Sequence, residues 1–157
     1  MTTNIYILQL EQGKYYVGKA SDVLKRYKDH QNGTGAAWTS LYKPISIINV
    51  ITGASDFDED RYVKEYMNTY GIDNVRGGSY VTHVLSDVDK KVITRELRAA
   101  MNCCTRCGRN NHFVKDCYAK KDVDNHIIVD DNNNDQSQTT LSLLSYVVDL
   151  VYTALKR

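Results

Sequence analysis

Long apolar runs are missing from this chain of 157 residues, so nothing in it reads as a membrane span. The first residues lack a charged lead and a small-residue cleavage site, so no secretory leader is expected. A surplus of one charge sign is missing too. The formal net charge is +1, and bulk electrostatics does not announce a nucleic-acid binder. Cysteine is absent from the first 102 residues. All four cysteines fall between Cys103 and Cys117 with a histidine among them, which argues for a metal site in a reducing compartment and against a disulfide framework. With one proline, 42% hydrophobic and 25% charged residues, the composition is globular. The length suits one domain with an appendage.

The small total conceals an uneven charge distribution. Residues 103–121 carry five basic side chains and one acidic, whereas residues 122–138 carry no basic and five acidic ones. A basic block therefore abuts a tract rich in Asp and Asn, which reads as a disordered linker.

Apolar patterning predicts strands over 4–10 and 15–19, joined by a turn at Glu11-Gln12-Gly13 in which Gly13 is free to take positive φ. Ser21 and Asp22 can cap a helix running to about Gln31. A β-branched run, 45–51, is expected as a central strand, and helices are expected over 57–70 and 86–101. Residues 72–80, with Arg76-Gly77-Gly78-Ser79, read as loop. The fold class is α+β: a small sheet of about three strands flanked by helices. The divisions expected are a first domain at 1–82, a connecting helix at 83–102, a cysteine segment at 103–118, an acidic linker at 119–138 and an amphipathic helix at 139–157.

Two tyrosine triplets stand ten residues apart, Asn4-Ile5-Tyr6 and Tyr16-Val17-Gly18, followed by Arg26 and His30. Spacing of i and i+4 puts Arg26 and His30 on one helix face. Hydrolysis of a phosphodiester needs a water, a base, a cation at the phosphate and help for the leaving oxygen. Arg26 can pair with phosphate oxygens through two parallel hydrogen bonds, and His30 can donate to a phosphate or move a proton. Glu65 can hold Mg²⁺, which keeps most of its waters and needs few protein ligands. Tyrosine is a poor base at its ordinary pKa of about 10, and Lys19, next to the second triplet, can depress it or act as a base itself. Glu59 competes with Glu65, but six residues apart on a helix the two face nearly opposite sides.

These triplets, with Lys19, Ala20 and Arg26, resemble the GIY-YIG nucleases of the UvrC type. Arg26 with His30 is similar to the homing and restriction enzymes of that superfamily. Gly35-Ala36-Ala37-Trp38-Thr39 and Lys43-Pro44 resemble its structure-selective branch, which cuts branched DNA. The resemblance implies one-metal hydrolysis, with Tyr6 and Tyr16 lining water and phosphate, Arg26 stabilising the transition state and Glu65 binding the cation. Asn74 corresponds to a late asparagine of many members. The first triplet departs from the pattern, with Asn4 where glycine is usual.

Cys104, Cys107, His112 and Cys117 fit the spacing C-x2-C-x4-H-x4-C, three thiolates and one imidazole that close a tetrahedral zinc site with no open position. Gly108 supplies the tight turn after the second cysteine, and Cys103 is left over. The pattern resembles the retroviral-type zinc knuckle, which implies binding to single-stranded nucleic acid. Phe113 would stack on a base, while Arg106, Arg109 and Lys115 would meet phosphates. A protein-contact role for the knuckle is the alternative.

The expectation is an Mg²⁺-dependent endonuclease with a structural Zn²⁺, acting on branched or single-stranded DNA in repair or recombination, with RNA as an alternative ligand. Rival readings are a non-catalytic nucleic-acid binder, a homing enzyme and an interaction adaptor. Residues 139–157 would pack on the domain, on a second copy or on a partner protein. The expected location is intracellular, in nucleus or cytoplasm, with a viral source as one origin.

Overall fold

The computed structural model describes residues 3–129. The expected helix at 139–157 and the later part of the acidic linker lie outside those residues. The elements are β1 (Asn4–Leu10), β2 (Tyr15–Ala20), α1 (Val23–Gln31), α2 (Ala37–Leu41), β3 (Pro44–Thr52), α3 (Asp58–Tyr70), β4 (Val75–Gly77) and α4 (Asp87–Ala100). No helix among the described residues is long and apolar enough to cross a membrane.

The hairpin of β1 and β2 turns through Gln12 and Gly13, both at positive φ. Its antiparallel register sets Tyr6 opposite Gly18 and Leu8 opposite Tyr16. β3 pairs antiparallel with β1, and the sheet order is β3-β1-β2-β4. The run 45–51 is therefore an edge strand rather than a central one. The other edge is β4, which lies parallel to β2 where a loop was expected. α2 falls between the first helix and the run 45–51, where no element was expected.

Alternation along the strands gives the sheet two apolar faces. Ile5, Ile7, Val17 and Val75 pack with Val63, Met67, Leu85 and Ile93 beneath α3 and α4. Tyr6, Leu8, Leu10, Tyr16 and Trp38 form the opposite cluster, beside α1 and α2. Asp22 accepts from the Lys25 N–H to start α1, and Ser86 with Asp89 makes a reciprocal cap for α4. Arg76 is buried. Its guanidinium donates to the carbonyls of Ile72, Val75, Thr82 and His83, and it stacks on Trp38 at 4.7 Å. The chain after β4 is thereby held without regular structure of its own.

Residues 119–129, expected as linker, are folded back. Lys121 bridges to Ile127, and Asp122 is bonded to Arg98 of α4 at 3.0 Å.

Candidate active site and metal centre

The hairpin presents Tyr6 and Tyr16 on one face with ring centroids 6.2 Å apart. Gly18 lies against both rings. A Cβ there would stand 2.5 Å from Tyr6 Oη and 2.8 Å from Tyr16 Cε1, so a side chain would displace one of the phenols. α1 brings His30 against the pair, fully buried, with Nε2 2.8 Å from Tyr6 Oη and Nδ1 2.7 Å from Thr39 Oγ1. Gly35 passes so close to the imidazole that a Cβ would collide with His30 Nδ1.

His30 Nδ1 lies between the Ala36 N–H, 3.3 Å away, and Thr39 Oγ1, 2.7 Å away, and the Thr39 hydroxyl in turn donates to the Ala36 carbonyl at 2.8 Å. Nε2 faces Tyr6 Oη at 2.8 Å. Burial and the nearby Arg26 charge hold the His30 pKa down to about 4, so the ring is neutral at pH 7. Both its nitrogens are used inside the protein. The ring is turned onto Tyr6, where the sequence reading had it donating to a phosphate or moving a proton.

Burial raises both phenols, Tyr6 most of all, and the Glu59 charge adds to it, while Arg26 opposes. A hydrogen bond from Tyr6 also lowers Tyr16. Arg26 is partly exposed and only loosely paired with Asp29, at 3.9 Å, so its charge faces the tyrosines and solvent.

Glu59 is a carboxylate whose charge reaches both phenols. Lys19 reaches its Oε2 at 3.6 Å and the Asp56 carbonyl at 3.4 Å. The Glu59 side chain is 16% exposed, against 52% for Glu65. Glu65 takes an ordinary i,i+4 bond from Arg61 at 3.0 Å. The sequence reading put the cation on Glu65 and kept Glu59 as its competitor. Val63 and Met67 are the buried residues of α3, and Glu59 lies one turn before Val63 on the same stripe, whereas Glu65 points outward. That stripe was the signal available in the sequence. Asn74 is not part of the group either. It donates to the Tyr70 carbonyl and accepts from Lys14 Nζ, each at 2.7 Å, closing the end of α3. Thr39 is a site residue that the sequence reading did not single out, and its burial beside His30 identifies it.

The second centre is built from loops. The ligand atoms of Cys104, Cys107, His112 and Cys117 all lie within 4.8 Å of one another. Tetrahedral zinc with thiolates at about 2.3 Å sets ligand atoms roughly 4 Å apart, so the group fits that ion. His112 Nδ1 pairs with Asn111 Oδ1 at 2.7 Å, which leaves Nε2 as the donor to a metal. Gly108, at φ +80°, makes the turn that returns its N–H to the Cys104 carbonyl at 2.7 Å. At Cys117, burial is outweighed by hydrogen bonds from His112, the Ala119 N–H and Arg106, and the thiol falls to about 6. Cys103 stays outside the group, directed at the Met101 carbonyl.

Two of the expected phosphate contacts have other work. Arg106 donates to the Ala119 carbonyl at 2.7 Å and lies 3.5 Å from Cys117 Sγ, and Arg109 donates to the Lys121 carbonyl. Both hold the chain around the cysteines. Phe113 and Lys115 are exposed as expected, and so is Tyr118, directly after the last cysteine, which the sequence reading passed over.

Residues 3–71 match the GIY-YIG catalytic domain family, and this part of the chain is a GIY-YIG domain, the catalytic fold of a nuclease family. The chain is also similar to small bacterial proteins. A UPF0213 protein of Fusobacterium nucleatum is 40% identical over 50 residues, 32% of this chain and 50% of its own length. One of Staphylococcus saprophyticus is 39% identical over 44 residues, 28% of this chain and 54% of its own. The UPF0213 protein YazA of Bacillus subtilis is 33% identical over 51 residues, 31% and 52% of the respective lengths. The chain spans about half the length of the curated relatives it matches. No solved structure matches. The cysteine cluster lies outside the matched residues.

Proposed function

We propose that this protein is a metal-dependent endonuclease that hydrolyses DNA phosphodiester bonds, selecting branched or single-stranded sites in the manner of the UvrC-like and structure-selective members of the superfamily. The convergence of Tyr6, Tyr16, Arg26 and His30 with a Glu59–Lys19 pair carries the reading. Glu59 would be the hard oxygen ligand for Mg²⁺, beside two phenols that burial, with a smaller contribution from the Glu59 charge, keeps protonated. When bound, the cation supplies Lewis-acid stabilisation at the scissile phosphate.

The protein's own groups divide the remaining work. Thr39 and the Ala36 N–H hold the His30 ring, His30 holds Tyr6 Oη, and the hydrogen bond from Tyr6 lowers Tyr16. Tyr16, the phenol at the open end, would first release its own proton to solvent and, as phenolate, take the proton from the attacking water. Arg26 stabilises the charge that builds on the phosphate oxygens. The Cys3His group holds Zn²⁺ as a structural ion, and reduced thiols there suit an intracellular setting.

Labelled single-stranded, duplex, flap and four-way-junction DNA, with and without Mg²⁺, test this. Glu59→Gln and Arg26→Ala should each lower cleavage at least about 100-fold. Glu65→Gln should cut as wild type does. If Glu65→Gln abolishes cutting and Glu59→Gln does not, the assignment made here is wrong. A wild-type protein that binds every substrate and cuts none makes the domain a binding module.

A further inference from the structure

Phe57 is the most exposed aromatic residue of the GIY-YIG domain, with 89% of its surface open to solvent. One exposed apolar residue is ordinary. Two features set this one apart, its rigidity and its position.

The turn that carries Phe57 is fastened on both sides. The Phe57 N–H donates to Ser55 Oγ at 3.3 Å, and the Ser55 N–H donates to Asp58 Oδ2 at 2.8 Å. The Asp58 N–H returns to the Ser55 carbonyl at 3.1 Å, and Arg61 Nε holds the other Asp58 oxygen at 3.2 Å. The residues around Phe57 belong to the site. Lys19 Nζ reaches the Asp56 carbonyl at 3.4 Å and Glu59 Oε2 at 3.6 Å. Consecutive Cα atoms are about 3.8 Å apart, so the Phe57 backbone stands within about 8 Å of that of Glu59. A phosphate held at Arg26 and Glu59 therefore has a flanking nucleotide within range of the ring.

Bases inside a duplex stack on one another and offer no free face, whereas an unpaired nucleotide presents one to an aromatic ring. A ring whose backbone is fixed in advance loses little freedom on contact. We infer that Phe57 stacks on the base of an unpaired nucleotide next to the scissile phosphate, so that the site takes strands whose bases have left the duplex. The inference rests on the nuclease reading and adds to it the residue that senses strand structure.

The test is fluorescence anisotropy of labelled flap and duplex DNA with the full chain, without added Mg²⁺ and without chelator. Phe57→Ala should weaken flap binding about tenfold. It removes no charge and no buried contact, so duplex binding, the salt dependence and the thermal midpoint should stay as in wild type. Phe57→Trp should restore flap affinity. Flaps lacking one base, deleted in turn at each position around the junction, locate the partner. Wild type should lose about tenfold at one position, where Phe57→Ala is indifferent. Equal weakening of duplex and flap overturns the inference. So does flap binding by Phe57→Ala at wild-type strength, or a base-deletion series in which the two proteins respond alike. A wild type that shows the stacking contact but never cuts with Mg²⁺ defeats the nuclease reading alone. A wild type that cuts, with Phe57→Ala its equal on every substrate, defeats this inference alone.

Discussion

Between Asn4 and Ile93 the chain buries eight side chains in one apolar cluster and five in another, on the two faces of the sheet. From Cys103 to Val129 the fully buried residues are Cys104 and Cys107. The first region is held by area removed from water, at about 25 cal/mol per Å² of apolar surface. The second has no such core, and its order comes from four ligand atoms, a few backbone bonds and the Arg98–Asp122 pair. One chain therefore joins a domain that folds on hydrophobic burial to a segment whose fold is a binding equilibrium with an ion.

Removing the ion is the sharpest way to break that contrast. Structural zinc sites contribute on the order of 10–16 kcal/mol, so a chelator or Cys107→Ser should abolish ordered structure in 103–129. Hydrogen exchange reads it directly. The amides of Gly108 and Val123 should lose protection while those of β1 and β2 keep theirs. Parallel loss in the strands would mean the two regions fold as one.

Acid should act on the first region through His30. Its folded pKa of about 4 lies below the usual 6.5, so the native state resists protonation that the unfolded chain accepts. That stability is complete above about pH 6.5 and is lost as pH falls towards 4, with about 2 kcal/mol gone by pH 5. Denaturant midpoints at pH 7 and 5 should therefore converge in His30→Gln relative to wild type. An unchanged pH dependence in the variant would show that His30 titrates normally.

The smallest effect is expected where the regions touch. Asp122→Asn keeps the shape of its turn but neutralises the partner of Arg98, and should cost about 1 kcal/mol. Competition with a chelator would read it as severalfold easier loss of zinc, with the denaturation midpoint of the tyrosine domain unmoved.

The hairpin, α1, α3 and α4 were legible in the sequence to within about a residue at each end, because caps and apolar periods are local signals. β4 was not. It is three residues long and exists through pairing with β2, each partner 60 positions earlier, with Gly77 pressed so close that a Cβ would strike the Val17 carbonyl. α2 depends on burial of Trp38 and Thr39 against the hairpin, which no local pattern displays. The tyrosines, Arg26, His30 and the four zinc-type ligands were legible because their spacing is set along the chain. Choosing between Glu59 and Glu65 required knowing which stripe of α3 meets the sheet, and the apolar pair Val63 and Met67 carried that information.

Arg76 gives the molecule an order of failure. A guanidinium stays protonated wherever a protein stays folded, so the four carbonyls it gathers are insensitive to acidity. His30 answers acid differently, because the folded state keeps its ring neutral down to about pH 4 while the unfolded chain takes the proton near 6.5. Mild acid therefore leaves the imidazole on Tyr6 as it was and loosens the fold around it, with the Arg76 anchorage as the part that acidity does not touch.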